Sequence, residues 1–104
     1  MREIEDREFQ TEVREAELPT VVAFTGSWCQ PCKAMKPELE HLAEQMQGDI
    51  QFVQMDVQSA SRTASDLGVR SVPTLVLVNE GMVRDTLVGS QTKLAVRQWI
   101  NDAV

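Results

Sequence analysis

The stretch Val21-Val22-Ala23-Phe24-Thr25-Gly26-Ser27-Trp28-Cys29-Gln30-Pro31-Cys32-Lys33 decides the fold. Residues 21–25 form a continuous, largely β-branched apolar run, the pattern of a strand buried on both faces. Gly26-Ser27 breaks that run. Both cysteines of the chain then open a segment of helical periodicity. Met35, Leu39, Leu42, Ala43 and Met46 recur at i, i+4, i+7, i+8 and i+11, which predicts a helix over 32–47 with one apolar face. Gly48 is placed to end it, and Pro37 inside it removes one hydrogen bond and predicts a kink.

Working toward the C-terminus, residues 50–57 read as a second strand and 59–67 as a short helix closed by Gly68. Val72-Pro73-Thr74-Leu75-Val76-Leu77-Val78 is the most apolar stretch and predicts a third strand. Asn79-Glu80-Gly81 is a hairpin-type turn, after which 82–88 returns as a strand. Ser90 is a candidate cap for a last helix whose Val96, Trp99, Ile100 and Ala103 share a face. Toward the N-terminus, Leu18-Pro19-Thr20 ends a first helix that Asp6 can cap, with Phe9 and Val13 facing the core. Strands alternating with helices predict parallel pairing with helices on both sides, the final hairpin adding an antiparallel edge. The expectation is a single α/β domain over residues 1–104, without repeats or linkers.

Composition narrows the function. The chain has 104 residues, two cysteines and a net charge of −6, with 42% hydrophobic and 25% charged residues. That is ordinary globular usage, enough for one core without disulfide scaffolding. The acidic balance argues against nucleic acid as a partner. No run approaches the ~20 apolar residues that span a bilayer. The first eight residues lack the apolar centre of a signal peptide, so an intracellular location is expected. Residues 1–17 carry seven acids against three arginines, a net of −4. This reads as a solvated helix face rather than a docking surface for a basic partner.

Chemistry concentrates in Trp28-Cys29-Gln30-Pro31-Cys32. Two thiols separated by two residues at a helix start can close a small disulfide ring. Free N–H groups and the macrodipole at that end favour a thiolate. A free cysteine of pKa ~8.5 is only about 3% ionised at pH 7. Cys-x-x-Cys motifs lower this to ~7, where about half is thiolate. Pro31 gives up no hydrogen bond in the first helical turn. A zinc site would need four ligands, and only Cys29, Cys32 and the lone His41 are on offer. Two incidental core cysteines would leave the flanking Trp and Pro unexplained. Redox chemistry is the reading these residues favour.

With these motifs in place, the chain resembles the thioredoxin family along nearly its whole length. Trp28-Cys29-Gln30-Pro31-Cys32-Lys33 after a strand, Pro37, Gly68-Val69-Arg70-Ser71-Val72-Pro73-Thr74, Asn79-Glu80-Gly81 and Val88-Gly89 occur in family order and spacing. The resemblance implies a thioredoxin-like three-layer sandwich, with a central mixed sheet of four to five strands and about four helices. It implies a cytoplasmic, monomeric disulfide reductase in which Cys29 is the exposed attacking thiol and Cys32 the more buried resolving one. It also implies a cis Val72–Pro73 bond that leaves the Val72 backbone free to pair with an extended substrate. Trp28, Gln30, Pro31, Val72, Pro73, Val88 and Gly89 would form the substrate surface. Ordinary strand packing is the alternative role for Val72 and Val88. Implied partners are disulfide-containing client proteins and a thioredoxin-reductase-type flavoprotein. The redox-active Cys29–Cys32 pair would be the sole redox group. No metal is expected, since the ligands are too few, and no cofactor, since the chain has no dinucleotide-binding glycine fingerprint to hold a hydride carrier.

Four departures from the family pattern bear on mechanism. Gln30 stands where Gly is usual, and residues between the cysteines tune redox poise. Ala23 and Gln54 occupy the positions of a buried aspartate and the lysine that pairs with it. Losing both leaves a neutral core, whereas losing one would strand a buried charge. Cys32 would then act without that internal base, through water or a neighbouring group. Thr25 replaces a residue that is often aromatic. Two other functions remain open on sequence grounds: a thiol oxidase or isomerase, and a non-catalytic binding module using the same apolar surface.

Overall fold

Strand β2 (Thr20–Thr25) runs through the middle of a five-stranded sheet, and its side chains from Thr20 to Phe24 are buried. The computed structural model describes residues 1–104. In chain order the remaining elements are β1 (Arg2–Glu3), a 3₁₀ turn (Asp6–Glu8) and a π-helical turn (Gln10–Arg14). After β2 come α1 (Gln30–Gln45), β3 (Gln51–Asp56), α2 (Ser61–Asp66), β4 (Thr74–Asn79), β5 (Met82–Val88) and α3 (Lys93–Ala103). The sheet order is β1-β3-β2-β4-β5.

Alternation along β2 divides the interior in two. Val22 and Phe24 join Ile4, Phe9, Val13 and Met55 on one face, under α2 and the N-terminal turns. Val21 and Ala23 join Met35, Leu39, Leu42, Val96 and Ile100 on the other, under α1 and α3. Successive strand residues point to opposite faces, so a strand with a core on each side must be apolar throughout. Each fully buried Val or Leu contributes about 1.5–3 kcal/mol. The result is the expected three-layer α/β sandwich.

Several local expectations are corrected. The sheet is mixed as the resemblance implies, but its antiparallel part is larger than the closing hairpin: β2 is parallel to β3, and β3 to β1, while β4 runs antiparallel to β2 as well as to β5. The six-residue α2 therefore joins strands of opposite direction and is not the crossover of a parallel pair. β1 is only two residues long and exists through its pairing of Arg2 with Val53 and Glu3 with Gln54. The first helix is the 3₁₀ and π pair, and Glu5 rather than Asp6 precedes it, its N–H donating to Glu8 Oε1 at 2.9 Å. The last helix is capped by Thr92, whose Oγ1 accepts from the Ala95 N–H at 3.1 Å, and not by Ser90. α1 continues through Pro37. It spans Gln30–Gln45 rather than 32–47 and ends at Met46, so Gly48 lies beyond its end instead of closing it. The remaining elements lie within about two residues of where the pattern places them, and no helix is long and apolar enough to cross a membrane.

Candidate active site

The chain leaves β2 at Thr25 and turns sharply into α1. The Cys29 N–H donates to the Gly26 carbonyl at 3.0 Å, closing that turn. Gly26 leaves room for the ring that follows: a Cβ there would lie 2.6–2.8 Å from the indole carbons of Trp28. The indole thus rests against the glycine and is 56% exposed.

Cys29 is the N-cap of α1, with extended backbone, and its Sγ accepts the Cys32 N–H at 3.2 Å. A cysteine sulfur here takes the place of the oxygen of a capping Ser or Asp, satisfying one of the unpaired donors of the first turn. Gln30 and Pro31 are the first two helical residues, where a missing N–H costs nothing. Cys29 and Cys32 are joined as a disulfide, their Cα atoms 5.3 Å apart. The helix terminus therefore aims N–H dipoles at the Cys29 sulfur, an arrangement that stabilises negative charge there.

Burial differs from expectation. Cys29 is 5% and Cys32 7% exposed, so neither cysteine is the open one in the disulfide form. What separates them is the interior side. Cys32 lines a cavity of about 240 Å³ beneath α1, with Ala23, Thr25, Met35, Gln54 and Asp56 among its walls, and Cys29 does not. Ala23, Gln54, Glu3 and Leu75 form one row across four strands, since Ala23 pairs with Gln54 and Leu75, and Gln54 with Glu3. The Gln54 amide donates to Glu3 Oε1 at 3.4 Å. The two departures read at positions 23 and 54 are thus neighbours, and an alanine stands where a longer side chain would occupy the cavity.

The remaining residues of the expected surface fall on adjoining segments. The Val72–Pro73 bond is cis. The Pro73 ring is buried and borders the same cavity as Cys32. Its carbonyl accepts the Gly89 N–H at 2.9 Å, which ties β5 to the proline. Val88, paired with Thr74, is 59% exposed, while the Val72 side chain packs against the interior. Gln30 and Pro31 are exposed. His41 lies apart from these, on α1, where its Nδ1 accepts from Lys93 Nζ at 2.9 Å. No three metal-ligating side chains are gathered anywhere in the chain. Asp56 and Glu3 at the cavity were missed from sequence, though the alternation of 52–56 already put residues 54 and 56 on one face.

Comparison with known proteins agrees with this geometry. The family model described as Thioredoxin matches residues 1–102. The thioredoxin of Rickettsia conorii is 35% identical over 99 residues, covering 95% of this chain and 94% of its own. That of Haemophilus influenzae is 36% identical over 101 residues, covering 97% and 94%, and that of Rhodospirillum rubrum 31% over 104 residues, covering both chains entirely. With a helix-capping Cys-x-x-Cys disulfide on this mixed sheet, the chain belongs to the thioredoxin family, whose chemistry is thiol–disulfide exchange.

Proposed function

We propose that the chain is a protein-disulfide reductase in which Cys29 attacks and Cys32 resolves. The observation that carries this is the Cys29 sulfur capping α1 and accepting the Cys32 N–H, which favours a thiolate at Cys29. Cys29 attacks one sulfur of a client disulfide in line with the S–S bond, forming a mixed disulfide and expelling the other client thiolate. Cys32 loses its proton and attacks Cys29, the second client thiolate leaves with the bonding electrons, and Cys29–Cys32 is oxidised. Trp28, Gln30, Pro31, Val72, Pro73, Val88 and Gly89 make up the docking surface, with the exposed indole of Trp28 and the exposed Val88 as its apolar anchors. A thioredoxin-reductase-type flavoprotein restores the dithiol, and the protein works as a monomer in the cytoplasm with no cofactor beyond its cysteines.

Turbidity from reduction of insulin tests the reading. The wild type with dithiothreitol should precipitate insulin faster than dithiothreitol alone, Cys29→Ser should not, and Cys32→Ser should accumulate a covalent adduct with the client. A Cys29→Ser variant as active as the wild type would sink the assignment. A potential near −270 mV against glutathione supports a reductase, and one near −120 mV an oxidase.

A further inference from the structure

We infer that Asp56 takes the proton from Cys32 when the mixed disulfide is resolved, across the cavity beneath the helix. The inference rests on the proposed roles of the two sulfurs. Cys32 must become a thiolate to attack, and the space on its inner side is the cavity of about 240 Å³. A volume of that size holds several waters, each taking ~30 Å³, and its polar walls offer them partners.

Register selects the acid. Asp56 pairs with Thr25, two residues beyond the Ala23–Gln54 pair on the same face, at the end of the sheet where the chain rises to Cys29. Strands lie about 4.8 Å apart, so Asp56 is one strand spacing from Thr25, where β2 gives way to the loop to Cys29, and both residues line the cavity with Cys32. Ala23 and Thr25 leave open the space that bulkier side chains would fill. Glu3, the other carboxylate of the cavity, is one strand farther away and holds the Gln54 amide. Asp56 Oδ1 accepts the N–H groups of Gln58 at 2.8 Å and Ser59 at 3.4 Å, which fixes the carboxylate. Its Oδ2 has no partner in the chain and is available to a proton arriving through water. Lys33 and Lys36 of α1 and the Met1 amino group, which pairs with Glu40, are the cations facing this space.

The step balances. The Cys32 Sγ–H proton passes to the Asp56 carboxylate, Sγ bonds to Cys29 Sγ, and the bond from Cys29 to the client breaks. The client thiolate departs with the electron pair and takes up a proton from Asp56 or solvent. The protein dithiol has been oxidised and the client disulfide reduced.

A nitrobenzoate aryl disulfide separates the two steps by stopped flow, because each releases one coloured thiolate. Asp56→Asn keeps an oxygen for the Gln58 and Ser59 N–H groups and removes the base. Its first release should match the wild type, and its second should be at least about tenfold slower at pH 7. That deficit should disappear above about pH 9, where hydroxide and the free thiolate replace the carboxylate. Glu3→Gln should follow the wild type in both phases. A second phase unchanged in Asp56→Asn, or one slowed instead by Glu3→Gln, overturns the inference while leaving the reductase reading intact. A wild type that never releases the second thiolate overturns both.

Discussion

Asp6 caps a helix to which it does not belong: its Oδ1 accepts both the N–H and the hydroxyl of Thr63, at 2.9 and 2.6 Å, and Oδ2 accepts the Arg62 N–H at 3.3 Å. α2 begins after Ala60, which has no side chain to do this. The Thr63 hydroxyl chiefly, with the two backbone donors and the nearby Arg62 charge, holds the Asp6 carboxyl below the ordinary range, against the opposing effect of burial. Asp6→Ala should cost about 1 kcal/mol, the usual loss for a helix cap, and lower the melting temperature by ~5 °C. The folded pKa lies below the unfolded one, so this contribution is complete above about pH 4 and fades as pH falls through the folded value. Calorimetry should find the gap between wild type and Asp6→Ala constant from pH 7 to 5 and shrinking below about pH 4. A gap that widens on acidification would refute the account.

Gly26 and Trp28 form a second such pair, at the site. The Cβ of Gly26→Ala would meet the indole at 2.6–2.8 Å, so the ring must swing away from its seat. Because the ring is 56% exposed, the move is sterically open and global stability should fall by less than about 1 kcal/mol. Client docking should suffer more than chemistry. KM for a protein disulfide should rise several-fold, with the rate toward a small aryl disulfide near that of the wild type and a shifted tryptophan emission. Unchanged emission would mean that the glycine does not hold the ring.

How much of this was legible in sequence depends on whether a signal is local. The run 21–25 announces its burial on both faces, and the bounds of Met82–Val88 are legible because a two-residue turn fixes where the hairpin begins. The cysteine pair declares its chemistry through spacing alone. β1 does not, because Arg2 and Glu3 carry no apolar alternation and form a strand only by pairing with β3. The cap of α2 comes from a residue 57 positions away, which no window reaches. Ser90 and Thr92 are equally competent caps. The choice falls to Thr92 because the Gly89 N–H is held by the Pro73 carbonyl and Gly89 adopts φ +94°, which sets where the helix can start. The cavity arises from small side chains at positions 23 and 25 under a helix, a property of packing rather than of pattern.

The Glu80–Gly81 turn carries a correctable strain. Both residues are left-handed, φ +54° and +79°, between the paired Asn79 and Met82. Glycine accepts this freely, but a glutamate pays about 1–2 kcal/mol. Its exposed ion pair with Arg84, at 3.4 Å, returns little of that. Glu80→Asn should therefore stabilise the chain by about 0.5–1 kcal/mol, since asparagine tolerates this conformation and is favoured in such turns. Urea unfolding should show a higher midpoint at unchanged slope. A lower midpoint would mean that the ion pair outweighs the backbone.

Ala23 offers the sharpest test of how the site manages without an acid at this position. It is 5% exposed, walls the cavity beside Cys32, and faces Gln54, a neutral side chain. A carboxylate placed there by Ala23→Asp would lose hydration without gaining a cationic partner in register, so its folded pKa should rise above the unfolded ~3.9. The sign is then opposite to that at Asp6. The variant should approach wild-type stability below about pH 4 and lose ground as pH rises, by several kcal/mol at pH 7. Catalytically, the new group stands next to Cys32 and competes with Asp56 for its proton, so the pH dependence of the second thiolate release should flatten. Adding Gln54→Lys should restore stability at neutral pH by supplying the missing partner one strand away. A double variant no more stable than Ala23→Asp alone would show that pairing across this row is not what these positions require.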